Sequence, residues 1–159
     1  MSLMQKLQAR AADHKPVRVA VIGAGKFGSM YLSQVPRTPG IHLVAVVDLS
    51  PNRAKESLAR VGWDEPRYSA SSLQDAANSG ATYITDDAQK TIASEYVDIV
   101  VDATGSPAAG IAHALLCIEH RKHIIMVNVE ADVLAGPLLA RKAAQAGVIY
   151  SMASGDPPA

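Results

Sequence analysis

Three glycines, Gly23, Gly25 and Gly28, lie in the segment GAGKFG, which directly follows the branched apolar run VRVAVI. A strand that leads into a helix leaves backbone N–H groups free at the helix start, where the helix dipole favours negative charge. In this spacing the first glycine permits a tight turn, the second lets a pyrophosphate approach the backbone, and the third lets helix and strand pack closely. The segment, with Lys26 and Phe27 inside it, is therefore predicted to bind a dinucleotide.

An acidic residue, Asp48, adds to this prediction, since glycine in such a turn can also be purely steric. It ends the second apolar run, IHLVAVVD, twenty residues after Gly28. A carboxylate at that place can accept hydrogen bonds from both hydroxyls of an adenosine ribose, and it favours NAD because it repels a 2′-phosphate. Arg53 lies five residues later and can meet that phosphate, so NADP stays open. Lys26 is expected either beside the pyrophosphate or on the outer surface.

A second small-residue loop, DATGSP, lies at the end of the fourth predicted strand. Loops at the carboxyl ends of parallel strands form the crevice in which doubly wound sheets bind ligands. Ala103, Thr104 and Gly105 are predicted to line this crevice, because small residues let a cofactor pass close to the backbone. Ser106 is predicted to cap the next helix, which is compatible with that role.

The segment NVEAD after the fifth predicted strand supplies the candidate catalytic residues, Asn128 and Glu130. Both are expected at the same rim of the sheet, where Glu130 can orient a substrate or serve as a base. Helix capping by Asn128 and simple surface charge at Glu130 explain the same residues equally well. No metal site is predicted, because the histidines have no metal-ligand spacing.

Strand and helix patterns alternate about six times along the chain, which predicts an α/β fold with a doubly wound parallel sheet, the Rossmann dinucleotide-binding domain. We predict an N-terminal helical extension over residues 1–15 and the domain over residues 16–159. The strands are predicted at residues 17–22, 41–48, 82–87, 96–105, 123–129 and 148–152. The helices are predicted at residues 26–35, 50–62, 71–80, 88–94, 106–122 and 136–147.

Composition narrows the range of partners. The chain has 159 residues, 48% of them hydrophobic, with 15 basic and 15 acidic side chains. A net charge of zero does not indicate binding to nucleic acid or to an anionic membrane surface. No apolar run reaches the about 20 residues that span a bilayer. The single cysteine, Cys117, excludes an intrachain disulfide. We therefore expect a cytoplasmic protein with a small-molecule substrate.

Four stretches resemble a known family: VAVIGAGKFGSMYLSQV, VVDLSPNRA, VDIVVDATGSPAAGIAHA and VNVEADVLAGPLLARKAAQAGVIYSMASGD. They are similar to the N-terminal region of homoserine-dehydrogenase-like oxidoreductases, in the branch that carries a C-terminal SAF domain and includes 1-deoxy-D-xylulose 5-phosphate reductoisomerase-like enzymes. The resemblance implies an NAD(P)-dependent enzyme that transfers a hydride between nicotinamide and a carbonyl or hydroxyl carbon. A dinucleotide-sensing module without catalysis is the alternative.

The sequence departs from the pattern of homoserine dehydrogenases at the end of the fifth strand. Homoserine dehydrogenases end the fifth strand in threonine-alanine-asparagine-lysine, whereas residues 127–130 here read VNVE without that lysine, which favours the reductoisomerase-like branch. Members of the family continue for some hundreds of residues, with a substrate domain and a dimer interface. The resemblance thus implies an N-terminal fragment or a natural truncation that binds the cofactor without turnover, and a homo-oligomer when full length.

Overall fold

A computed structural model describes residues 1–153 and contains one six-stranded sheet in which every pairing is parallel. The strands are β1 (Val17–Ile22), β2 (Ile41–Val47), β3 (Tyr83–Thr85), β4 (Ile99–Asp102), β5 (His123–Met126) and β6 (Tyr150–Met152). Their order is β3-β2-β1-β4-β5-β6, which is the order of the Rossmann fold. This confirms the predicted fold class. The order in which strands are added reverses between β1 and β4, which is the place where such sheets bind ligands.

Seven α-helices accompany the strands within residues 1–153: α1 (Leu3–Ala12), α2 (Lys26–Gln34), α3 (Pro51–Arg60), α4 (Leu73–Ser79), α5 (Ala88–Ala93), α6 (Pro107–Glu119) and α7 (Val129–Ala146). Short 3-10 turns occupy Val35–Arg37 and Glu65–Tyr68. None of the helices in this part of the chain has the length and apolarity that crossing a membrane requires.

Two apolar clusters cover the two faces of the sheet. Side chains alternate across a strand, so Val19 and Val21 of β1 enter one cluster while Ala20 and Ile22 enter the other. The first cluster takes its helical residues from α2 and α3, and the second takes them from α4, α5, α6 and α7. Because both faces are covered, β1 and β2 are apolar on both faces except for Arg18 and His42, as is typical of buried parallel strands.

The main difference from the predicted elements is the start of α7. The sequence predicts this helix at residues 136–147 and the fifth strand through residue 129, whereas β5 ends at Met126 and α7 begins at Val129. The Asn128 side chain accepts a hydrogen bond from the N–H of Ala131 and thereby starts the helix seven residues earlier. Pro137 therefore lies inside the helix.

The N-terminal extension contains α1, which starts with a capping box between Ser2 and Gln5. Other differences are shifts of a few residues at element ends, such as β4, which covers Ile99–Asp102 of the ten residues predicted. The division at residues 15 and 16 stays a prediction. The last six residues of the predicted domain, 154–159, lie outside the described residues.

Removing the buried Leu32 side chain tests the packing of α2. Leu32 is fully buried between α2 and the sheet, so we expect Leu32→Ala to lower the free energy of unfolding by about 2–5 kcal/mol. Met30 on the same helix is exposed, and Met30→Ala is expected to change it by less than about 0.5 kcal/mol. Urea denaturation measures both, and equal losses would contradict this packing.

Candidate functional site

The loop between β1 and α2 needs glycine at two positions for steric reasons. Gly23 has a φ of +99°, and a Cβ there would lie 2.8 Å from the carbonyl oxygen of Ala103. A Cβ at Gly28 would lie 2.5 Å from the carbonyl oxygen of Gly23. These two glycines therefore bring the first turn of α2 against β1 and against the loop that follows β4.

The third glycine, Gly25, leaves the start of α2 open. It is the N-cap of α2, and no side chain accepts a hydrogen bond from the first N–H groups of this helix. The other six α-helices within residues 1–153 are each capped by a serine, aspartate or asparagine side chain. No heavy atom outside its neighbours lies within 4 Å of a Cβ built at Gly25. This geometry provides space and N–H donors for a phosphate group.

The carboxylate of Asp48 is buried at the end of β2, and its side chain is only 1% exposed. One oxygen, Oδ2, accepts from the N–H of Ala24 at 2.9 Å. The other, Oδ1, accepts from the N–H of Ser50 and from Nη2 of Arg53, both at 2.8 Å. Burial acts to raise the pKa of Asp48, but these three donors outweigh it and lower the pKa below its ordinary value. Asp48 thus ties the glycine loop to the end of β2.

The remaining predicted residues of this region differ in exposure. The Arg53 side chain is 62% exposed while its guanidinium holds Asp48. Lys26 is exposed at the first position of α2, so the structure places it on the outside of the molecule. Phe27 is half-buried and packs against the apolar cluster of α2 and α3, which gives its ring a structural contact. The cofactor roles predicted for these residues stay predictions.

The loop after β4 is held by a buried carboxylate that the sequence analysis did not single out. Asp102 is fully buried, and its Oδ1 accepts from the backbone N–H and the hydroxyl of Thr104 at 3.1 and 2.8 Å. Its Oδ2 lies 2.6 Å from Nδ1 of His113 on α6. The separation of eleven residues between Asp102 and His113 gives no local signal. An aspartate that ends a buried strand is the one available hint.

The candidate catalytic pair divides into a buried and an exposed residue. Asn128 is buried and bonded at both ends of its amide: Oδ1 accepts from Ala131, and Nδ2 donates to the carbonyl oxygen of Ser106 at 2.7 Å. It therefore joins α7 to the loop after β4. Glu130 is exposed in the first turn of α7. Their catalytic roles stay predictions.

A crevice of about 320 Å³ brings seven of the predicted cofactor residues together. They are Gly23, Gly25, Asp48, Arg53, Ala103, Thr104 and Gly105. His113 lines the same crevice, whereas Lys26, Phe27, Gly28, Asn128 and Glu130 lie outside its lining. Two larger grooves, of about 660 and 570 Å³, lie away from the glycine loop. Within residues 1–153 no cluster of histidine, cysteine and acidic side chains has the geometry to hold a metal ion.

The lowered pKa of Asp48 predicts how stability depends on pH. A carboxyl group with a lowered folded-state pKa stabilises the fold above its unfolded pKa, about 3.9, and loses this contribution as pH falls. Asp48→Asn should therefore lower the free energy of unfolding at neutral pH, and the deficit should shrink below about pH 4. Urea denaturation at several pH values measures it. The exposed Asp64, which makes no cap hydrogen bond, gives the control Asp64→Asn. A deficit that does not change with pH would contradict this account.

Solved structures of several oxidoreductases are similar to this chain. A myo-inositol dehydrogenase from Lactobacillus casei, in complex with NAD(H) and myo-inositol, has a TM-score of 0.65 and 17% identity over 86% of this chain and 36% of its own. A biliverdin reductase from Synechocystis sp. PCC 6803, in complex with biliverdin and NADP+, has a TM-score of 0.65 and 18% identity over 86% and 37%. An NAD binding oxidoreductase from Klebsiella pneumoniae has a TM-score of 0.64 and 18% identity over 87% and 34%.

At these identities the structural likeness shows the fold alone. The chain spans about a third of the length of these structures. No curated protein matches the sequence. The model of the GFO/IDH/MocA oxidoreductases, described as an oxidoreductase family with an NAD-binding Rossmann fold, matches residues 17–128. This confirms NAD or NADP as the predicted cofactor. The match covers most of the chain, and the chain therefore belongs to the GFO/IDH/MocA oxidoreductase family.

Proposed function

We propose that this chain is the cofactor-binding domain of an NAD(P)-dependent oxidoreductase that transfers a hydride between nicotinamide and a carbonyl or hydroxyl carbon of a small molecule. The observation that carries the proposal is the start of α2. It is the one α-helix within residues 1–153 that begins without a side-chain cap, and it begins at the crevice, where the strand order reverses between β1 and β4. Free N–H groups at the positive end of a helix suit a pyrophosphate.

Different residues of the crevice bind different parts of the dinucleotide. The cofactor supplies the hydride chemistry, and the protein supplies position and electrostatics. The backbone N–H groups after Gly25 bind the pyrophosphate. Thr104 and Gly105 line the path toward the nicotinamide, on a loop whose shape Asp102 maintains through its two hydrogen bonds to Thr104.

We place the adenosine ribose beside the Asp48–Arg53 pair, at the end of β2. The sequence analysis leaves NAD and NADP open, and the geometry gives a reason to favour NADP. The carboxylate of Asp48 is buried and already accepts hydrogen bonds from three donors. Arg53, in contrast, has a largely exposed side chain at the same end of the crevice. A guanidinium can bind a 2′-phosphate through charge-assisted hydrogen bonds.

We assign substrate recognition to sequence outside this chain, because the similar structures are about three times as long. The chain alone is then expected to bind cofactor without turnover. At the finer level we propose the homoserine-dehydrogenase-like type, in its reductoisomerase-like branch. Its support is the set of sequence stretches named above and the missing lysine in residues 127–130.

The variant Gly25→Asp tests the pyrophosphate site. A Cβ at Gly25 meets no neighbour, and the backbone there is extended, so the substitution fits sterically. The new carboxylate should cap α2, keep or raise the melting temperature, and repel the pyrophosphate. We expect at least tenfold weaker binding of NADH and NADPH, measured by nicotinamide fluorescence. Gly25→Ala, which adds bulk without charge, should weaken binding less. Unchanged affinity in the aspartate variant would refute the site.

The variant Arg53→Ala tests the 2′-phosphate contact. Losing a hydrogen bond to a charged group costs about 1.5–3 kcal/mol, so we expect NADPH to bind about 10- to 150-fold more weakly while NADH is little affected. Parallel fluorescence titrations of the same preparation measure both constants. The substitution also removes one donor from Asp48, and a thermal melt controls for that loss. Equal weakening of NADH and NADPH would show that Arg53 acts through Asp48 rather than on the phosphate.

A further inference from the structure

His113 has one ring nitrogen that no described residue uses. Its side chain lies on α6, is 14% exposed and lines the crevice. Nδ1 is 2.6 Å from Oδ2 of Asp102, whereas Nε2 has no hydrogen-bond partner among residues 1–153. Every fully buried side-chain nitrogen or oxygen in this part of the chain has such a partner, so Nε2 is not fully buried. The crevice that the ring lines is the space from which a ligand can reach this atom.

Asp102 determines which nitrogen of the ring is left for a ligand. Its carboxylate is fully buried, and an ionised carboxylate can only accept hydrogen bonds. Oδ1 accepts from the N–H and the hydroxyl of Thr104, and Oδ2 is the oxygen beside His113. Nδ1 is therefore the nitrogen that carries the proton, and Nε2 of the neutral ring is an acceptor.

The crevice has donors for phosphate but few acceptors for hydroxyl groups. The N–H groups after Gly25 and the guanidinium of Arg53 can only donate, which suits phosphate oxygens. The carboxylate of Asp48 already accepts three hydrogen bonds, and Asp86 is exposed to solvent. A dinucleotide also carries ribose hydroxyls, which need acceptors once water is displaced. The Nε2 atom of His113 is an acceptor on a ring that is already held in place.

We propose that His113 is a cofactor-binding residue whose Nε2 accepts a hydrogen bond from a ribose hydroxyl of the dinucleotide. The inference rests on the proposed function, because it takes a dinucleotide as the occupant of the crevice. Asp102 is then a positioning residue. It holds the ring of His113 through Oδ2 and the loop after β4 through Oδ1, so that one buried carboxylate aligns two sides of the cofactor site.

The variant His113→Asn separates ligand binding from a purely structural contact with Asp102. The Nδ2 atom of asparagine is attached like Nδ1 of histidine and can donate to Asp102, but asparagine has no atom in the place of Nε2. We expect a melting temperature close to that of the wild type, with NADH bound about 2- to 12-fold more weakly, measured by nicotinamide fluorescence. His120→Asn makes the same change at the exposed end of α6, outside the crevice, and should leave the affinity unchanged.

Competition by ADP identifies which of the two riboses makes the contact. ADP contains the adenosine ribose and lacks the ribose of the nicotinamide half. If His113→Asn weakens ADP as much as NADH, the contact is to the adenosine ribose. If it weakens NADH alone, the contact is to the nicotinamide ribose.

Equal affinity of the wild type and His113→Asn for NADH overturns the inference and leaves the proposed function intact. A folded wild-type chain that binds neither NADH nor NADPH instead refutes the proposed function, and the inference with it. Nitrogen-15 spectra of the histidine rings in the wild type give a second measurement, which does not depend on the stability of a variant. Saturation with NADH should shift the Nε2 resonance of His113, and an unchanged Nε2 resonance overturns the inference.

Discussion

The buried carboxylate of Asp48 is the constraint from which the geometry of the crevice follows. It accepts hydrogen bonds from three donors: the N–H of Ala24 in the glycine loop, the N–H of Ser50 at the N-cap of α3, and the guanidinium of Arg53. These contacts hold the end of β2 to the turn after β1. Two further hydrogen bonds support the turn: the N–H of Gly23 donates to the carbonyl oxygen of Val47, and the Ser57 hydroxyl donates to the carbonyl oxygen of Ala24. A group that the sequence suggests for ribose binding therefore also builds the site.

A second buried carboxylate performs the same task on the other side of the crevice. Asp102 holds Thr104 and His113, and Asn128 joins the same loop to α7. Buried polar groups need hydrogen-bond partners, and here those partners are atoms of the loop after β4 and of the helices α6 and α7. The two loops that face each other across the crevice are thus each tied to a strand end. Among the α-helices of residues 1–153, α2 is the one whose start has no side-chain cap.

The sequence predicts most of the fold because its signals are local. Continuous apolar runs, serine caps and glycine stops mark β1, β2, α3 and α6 within a few residues of their observed ends. Prediction is wrong at the start of α7, where the fifth apolar run continues through Val127 and conceals the cap at Asn128. Seven of the predicted cofactor residues meet in one crevice, since they lie at strand ends. The contact between Asp102 and His113 depends on the packing of α6, which no local pattern encodes.

A polar residue at a strand end either contacts a ligand or holds a loop in place. The sequence alone does not separate these two roles. Asn128 occupies the position predicted for chemistry, yet both ends of its amide are used to connect α7 with the loop after β4. A residue with such internal hydrogen bonds also acts on a ligand through the loop it holds. Groups with free hydrogen-bonding capacity are the better candidates for direct contact, and on this criterion the backbone after Gly25 and the guanidinium of Arg53 rank above Asn128.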